Sequence, residues 1–161
     1  MSWTIDNVAS QAGRTFLVTG ANTGLGYTTA EILAAKHARV LLACRSEEKG
    51  STALEKIKRK HPAADVALGI MDLGSLASVR DFAAHVTDQE SRLDVLINNA
   101  GVGTPPLGFT TDGFEQQFGV NFLGHFALTG LLLPLLEKTL PPVWSGSVAL
   151  PIKAVSSSST I

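Results

Sequence analysis

Three glycines at positions 20, 24 and 26, in the run Thr19-Gly20-Ala21-Asn22-Thr23-Gly24-Leu25-Gly26, have the types and spacing for phosphate chemistry. A backbone without a side chain can turn sharply at Gly20 and admit an anion to hydrogen-bond distance at Gly24. At Gly26 it lets a helix lie close on the preceding strand. The N–H groups left free where such a helix begins, and the positive end of its dipole, then face the anion. A metal is not expected: Cys44 is the single cysteine, and the four histidines, 37, 61, 85 and 125, are scattered.

The elements that must hold this turn are legible on both sides of it. Thr15 to Val18 is a short apolar run suited to a strand buried in a parallel sheet, and Thr28 to Lys36 reads as a helix. Further strands are expected at 39–43, 65–70 and 93–97, with helices at 47–60 and 76–86. Asp72 or Ser75 is placed to cap the helix at 76–86. After Asn98-Asn99-Ala100-Gly101 comes a loop with Pro105, Pro106 and Gly108. Asp112-Gly113-Phe114-Glu115 then resembles a capping box opening a long helix that runs to about Lys138. Strands alternating with helices indicate an α/β fold with a doubly wound parallel sheet. The chain divides into an N-terminal extension (1–12), a Rossmann-type nucleotide-binding domain (13–138) and an atypical tail (139–161).

Among its 161 residues the net charge is −1, which gives no basic surface for nucleic acid. The charge run Lys56 to Lys60 reads as a wet helix face. Residues 1–13 lack the basic start and apolar core of a secretion signal, so a cytoplasmic location is expected. The most apolar stretch, Phe126 to Leu136, holds Pro134 and is shorter than a bilayer requires. No membrane span is therefore expected, and this stretch reads as core or subunit interface.

Five motifs in order, Thr19 to Gly26, Ala43-Cys44-Arg45, Asp72-Leu73, Asn98 to Gly101 and Asn121-Phe-Leu-Gly-His-Phe126, carry a specific resemblance. Over roughly residues 12 to 138 the chain resembles the short-chain dehydrogenase/reductase family, most of all its retinol-dehydrogenase-like branch. The resemblance implies strand order 3-2-1-4-5 and hydride transfer between a nicotinamide dinucleotide and an alcohol or carbonyl substrate. It places the pyrophosphate and adenosine ribose on Gly20, Asn22, Thr23, Gly24, Leu25 and Gly26, and the adenine against Asp72 and Leu73. Asn99, Ala100 and Gly101 would line the middle of the cofactor, with Asn99 also bracing the sheet. Asn121 would kink the long helix and hold a water for proton relay. At the end of the second strand, Arg45 stands where a carboxylate would favour a free ribose; a guanidinium there pairs with a 2′-phosphate, so NADP(H) is expected over NAD(H).

The C-terminal end departs from the family. Residues 139–153 hold three prolines, and only then comes Ala154-Val155-Ser156-Ser157. By local context Ser157 is the candidate catalytic serine; by distance from Asn121, Ser147 lies nearer, and both stay open. The fifth strand would also fall in this tail. The family's tyrosine and lysine, four residues apart, are absent: Tyr27 is the single tyrosine, and Glu31 stands four residues after it. Two readings follow. The chain is a truncated NADP-dependent reductase with little or no turnover. Alternatively it is a non-catalytic nucleotide-binding module that forms a homo- or heterodimer through the helix at 112–138.

Overall fold

In a computed structural model, residues 4–139 are described. Four strands, β1 (Thr15–Thr19), β2 (Arg39–Cys44), β3 (Asp65–Ile70) and β4 (Val95–Ile97), form one parallel sheet in the order β3-β2-β1-β4. Leu17 of β1 sits level with Leu41 of β2 and Leu96 of β4. Strand alternation then sorts the side chains. Phe16, Val18, Val40 and Leu42 join one buried cluster, while Leu17, Leu41 and Ala43 join the other on the opposite face. A strand buried on both faces needs the continuous apolar sequence that β1 and β2 show. The expected fifth strand lies outside the described residues.

The helices α1 (Gly24–Ala35) and α2 (Glu47–Lys60) contribute Ala30, Ala34 and Ile57 to the first cluster. The helices α3 (Leu76–Gln89) and α4 (His125–Glu137) cover the second face with Val79, Phe82, Leu128, Leu132 and Leu135. Full burial of a leucine side chain contributes about 1.5–3 kcal/mol, so Leu128, Leu132 and Leu135 anchor α4 firmly. Ser46 Oγ caps α2 by accepting from the Lys49 N–H, and Ser75 Oγ caps α3 through the Ser78 N–H. Of the two expected caps for α3, then, Ser75 is the one in use. No side chain caps α1, whose N-cap is Thr23.

Four expectations are corrected. Helix α1 begins at Gly24, one turn before the apolar run that signalled it, and β4 is confined to 95–97. Asp112 does not open the long helix: its Oδ2 accepts from Leu76 N–H at the start of α3. The Glu115 carboxylate takes the capping role instead, accepting from the N–H groups of Gln117 (2.9 Å) and Phe118 (2.8 Å). Nor is the apolar stretch limited to Phe126–Leu136, for Phe118–Gly124 is a π-helical segment that runs straight into α4. The helical stretch Phe118–Glu137 reaches 20 residues with mean hydropathy 1.6, so length does not exclude a span. The apolar stretch expected as core or subunit interface is divided: Leu128, Leu132, Leu135 and Leu136 are buried, while Leu131 and Leu133 are exposed. The exposed stripe is Phe118, Phe122 and Phe126, stacked at centroid distances of 5.4 and 6.2 Å.

Candidate functional site

A cleft of about 310 Å³ opens at the carboxyl ends of all four strands. Thr19 and Gly20 come from the end of β1, Arg45 from just beyond β2, Asp72 and Leu73 from beyond β3, and Asn99 to Val102 from beyond β4. The chain steps from β1 outward to β2 and β3, then crosses back to place β4 on the other side of β1. Such a reversal separates the connecting loops and leaves a crevice for a ligand.

The glycine turn forms one wall. Gly20 has φ +65°, and a Cβ there would stand 2.9 Å from Ala100 Cα, so both the turn and the close loop require glycine. Gly24 also has positive φ, +58°, with nothing within 4 Å of a would-be Cβ. At Gly26 a Cβ would come within 2.4 Å of Gly20 O and of Asn99 Nδ2. That contact lets the first turn of α1 lie against β1 and the 98–102 loop. Asn22 and Thr23 face the cleft with Gly20, whereas Leu25 points outward at 77% exposure.

Asn99 braces the turn, its Nδ2 donating to Thr19 O at 2.9 Å. The buried Thr19 hydroxyl accepts from the backbone N–H groups of Asn99 (2.9 Å) and Ala100 (3.0 Å). Asp72 receives a hydrogen bond from Gly74 N–H at 2.8 Å, and its own N–H donates to Ser78 Oγ, which fixes the bend after β3. Asn121 is not a cleft-lining residue but grips the neighbouring loop at Val102 and sits within the π segment. Of the sequence-predicted site residues, the cleft thus gathers Gly20, Asn22, Thr23, Arg45, Asp72, Leu73, Asn99, Ala100 and Gly101. Gly24 and Gly26 shape it from behind, and Ser147 and Ser157 lie outside the described residues.

Sequence reasoning missed His125. It was read as one of four scattered histidines, yet its ring is buried, with Nε2 2.9 Å from Thr19 Oγ1 and Nδ1 3.0 Å from Asn121 O. The available signal was its place four residues after Asn121, one helical turn on. Burial holds its pKa below the ordinary histidine value, outweighing the opposite effect of the Asn121 bond. Tyr27 goes the other way: burial and the nearby Glu31 raise its phenol pKa. Tyr27 lies in α1 against the first core cluster, and Glu31 is engaged by Lys60.

Residues 14–141 match the short chain dehydrogenase family. The chain belongs to the short chain dehydrogenases. It is 49% identical to human retinol dehydrogenase 13 over 133 residues, covering 83% of this chain and 40% of that protein. Among solved structures, this short chain dehydrogenase resembles an uncharacterized protein from Mycobacterium Paratuberculosis at TM-score 0.74 and 47% identity, over 84% of this chain and 47% of that one. It resembles the Pseudomonas aeruginosa RhlG/NADP active-site complex at TM-score 0.70 and 31% identity, over 83% and 52% of the two chains. The chain thus spans about half the length or less of these short chain dehydrogenase relatives. The family match at residues 14–141 takes in all four strands of the sheet, and the family's common ligand is a nicotinamide dinucleotide.

Proposed function

We propose that this chain binds NADP(H) in the cleft at the strand ends. The observation that carries the reading is the contrast between helix starts. Serine side chains cap α2 and α3, while α1 has no side-chain cap and begins beside Gly20, Asn22 and Thr23 on the cleft wall. Uncapped N–H groups at a helix start suit a pyrophosphate. Arg45, at the cleft end of β2, supplies a cation suited to a 2′-phosphate. Asp72 and Leu73 suit the adenine, and Asn99, Ala100 and Gly101 the middle of the molecule. That a solved relative is described with NADP in its active site supports the same choice.

Bound there, a nicotinamide would supply or accept a hydride against an alcohol–carbonyl pair. The chain's own residues hold and orient. Thr19 and Asn99 fix the backbone under the ligand, and Asn121, carried by the π segment, would position a water for proton relay. Among the described residues, no tyrosine lines the cleft. Tyr27 is their single tyrosine; its phenol is pushed toward the protonated form and lies outside the cleft. We therefore propose nucleotide binding with little or no carbonyl turnover. Carbonyl-dependent NADPH oxidation that disappears in Ser157→Ala would overturn this part. The exposed Phe118, Phe122 and Phe126 stripe supports pairing through the long helix, with a second copy or a full-length relative.

Titration of NADPH and NADH into wild type and Arg45→Ala tests the cofactor assignment. Wild type should prefer NADPH, and the variant should lose about tenfold or more of NADPH affinity with NADH unchanged. Equal affinity of wild type for the two cofactors would remove the assignment.

A further inference from the structure

We infer that His125 is a positioning residue that locks the cofactor-facing backbone at Asn99 and Ala100 to the Asn121 turn of the long helix, and does so only as the neutral Nδ1–H imidazole. The hydrogen-bond pattern forces the tautomer. Asn121 O is a carbonyl and can only accept, so the proton sits on Nδ1, 3.0 Å away. Nε2 is then an acceptor, and the Thr19 hydroxyl donates to it at 2.9 Å in preference to the Ile97 carbonyl at 3.4 Å. That leaves the Thr19 oxygen its two lone pairs, which take the N–H groups of Asn99 and Ala100. Each donor in the series then has an acceptor, and both lone pairs of the hydroxyl are taken.

The ring thereby joins the end of β1 to the π segment, and through Thr19 to the loop after β4, beside the separate Asn121–Val102 contact. A proton added to Nε2 would turn an acceptor into a donor aimed at an oxygen with no lone pair left. The groups the ring meets from those elements, Thr19 on β1, Asn99 and Ala100 through it, and Asn121 on the π segment, are all uncharged. No carboxylate or cation contributes to its titration, and burial disfavours the imidazolium. Acid should therefore release the link. The consequence for affinity rests on the NADP(H) reading above; the link itself does not.

Two measurements on the full 161-residue chain test this. Imidazole ¹⁵N spectra at pH 7.5 should show one histidine with Nδ1 protonated and Nε2 bare; the opposite tautomer, or an imidazolium, would overturn the inference. Second, NADP⁺ affinity and amide exchange at Asn99 and Ala100 are followed from pH 8 to 5 in wild type, His125→Gln and His125→Phe. Gln can still accept from Thr19 without titrating, so it should stay near wild type at pH 8. Phe should bind about tenfold more weakly and exchange faster, the scale of one lost buried hydrogen bond. The ligand's 2′-phosphate titrates near pH 6 as well, so the readout is the difference between wild type and Gln, which should widen about tenfold toward acid. Identical profiles in all three proteins would sink the positioning role. If NADP⁺ fails to bind wild type at any pH while the tautomer and exchange results hold, the cofactor reading fails and the link stands.

Discussion

Asn121 grips Val102 by both of its backbone groups, Oδ1 accepting from the Val102 N–H at 2.8 Å and Nδ2 donating to the Val102 carbonyl at 3.0 Å. One side chain thus imitates a strand neighbour for the loop that follows β4. Asn121→Ala should cost about 1 kcal/mol in urea unfolding, since the pair is solvent-exposed, and amide exchange at Val102 should quicken. Asn121→Asp should do no better, because a carboxylate cannot donate to the Val102 carbonyl. Full protection of Val102 in Asn121→Asp would show that the bidentate contact does not hold the loop.

Gly24→Ala and Gly26→Ala should separate two reasons for glycine. At Gly24 the space is open and only the positive φ resists, so the change should cost about 1–2 kcal/mol. At Gly26 the new methyl meets backbone at 2.4 Å, and nothing flexible can yield on the Gly20 side. A loss of about 3 kcal/mol, or failure to fold, is expected there. Thermal melts of the two variants settle the order; a Gly26→Ala protein as stable as Gly24→Ala would contradict the close packing of α1 on β1.

Cys44 should be silent to thiol reagents. Its side chain is buried, and burial pushes the thiol pKa up to about 11, against 9.0 for a free thiol. Labelling at pH 8 should therefore follow unfolding, rising steeply only across the urea transition. The raised value also contributes stability that is complete below about pH 9 and lost as the pH climbs through about 11. Rapid labelling of the native chain at pH 8 would refute the buried placement at the end of β2.

Phe122→Glu should reduce self-association. Phe122 is 56% exposed at the middle of the stacked stripe, so a carboxylate there disrupts a shared apolar surface without entering the core. Light-scattering mass across a concentration series should show wild type growing heavier and the variant remaining a monomer. Loss of association in Leu131→Glu but not in Phe122→Glu would move the contact to the other end of the helix.

The strands and the glycine turn were legible because each depends on local signals repeated in series, whereas the sheet order and the rest of the cleft came with the family resemblance. Apolar runs such as Leu41-Leu42-Ala43 mark strands, and the glycine turn marks where the first helix must begin. The start of α1 was read late because Gly24 and Gly26 are poor helix formers, and the contacts with Asn99 and Gly20 that require a glycine at 26 are displayed by no window of sequence. The π segment was illegible for a related reason. Gly119 packs against Thr110, Gly124 against Leu73, and Asn121 against Val102, all contacts distant in sequence. Glu115 could have been preferred to Asp112 as the cap only by knowing that Asp112 is taken by Leu76.

The π segment between Phe118 and Gly124 leaves the long helix one residue out of step with itself. Removing one residue from that stretch would let it relax to ordinary α geometry with the turns on either side keeping their bearings, since a π turn holds one residue more than an α turn over about the same arc. Relaxing to α geometry without a deletion would instead swing everything ahead of it by about 100° around the axis. Phe118 would then leave its present bearing while Leu128 and Leu132 kept theirs. The segment behaves as a gear offset: it absorbs one residue so that both halves of the helix face their present partners.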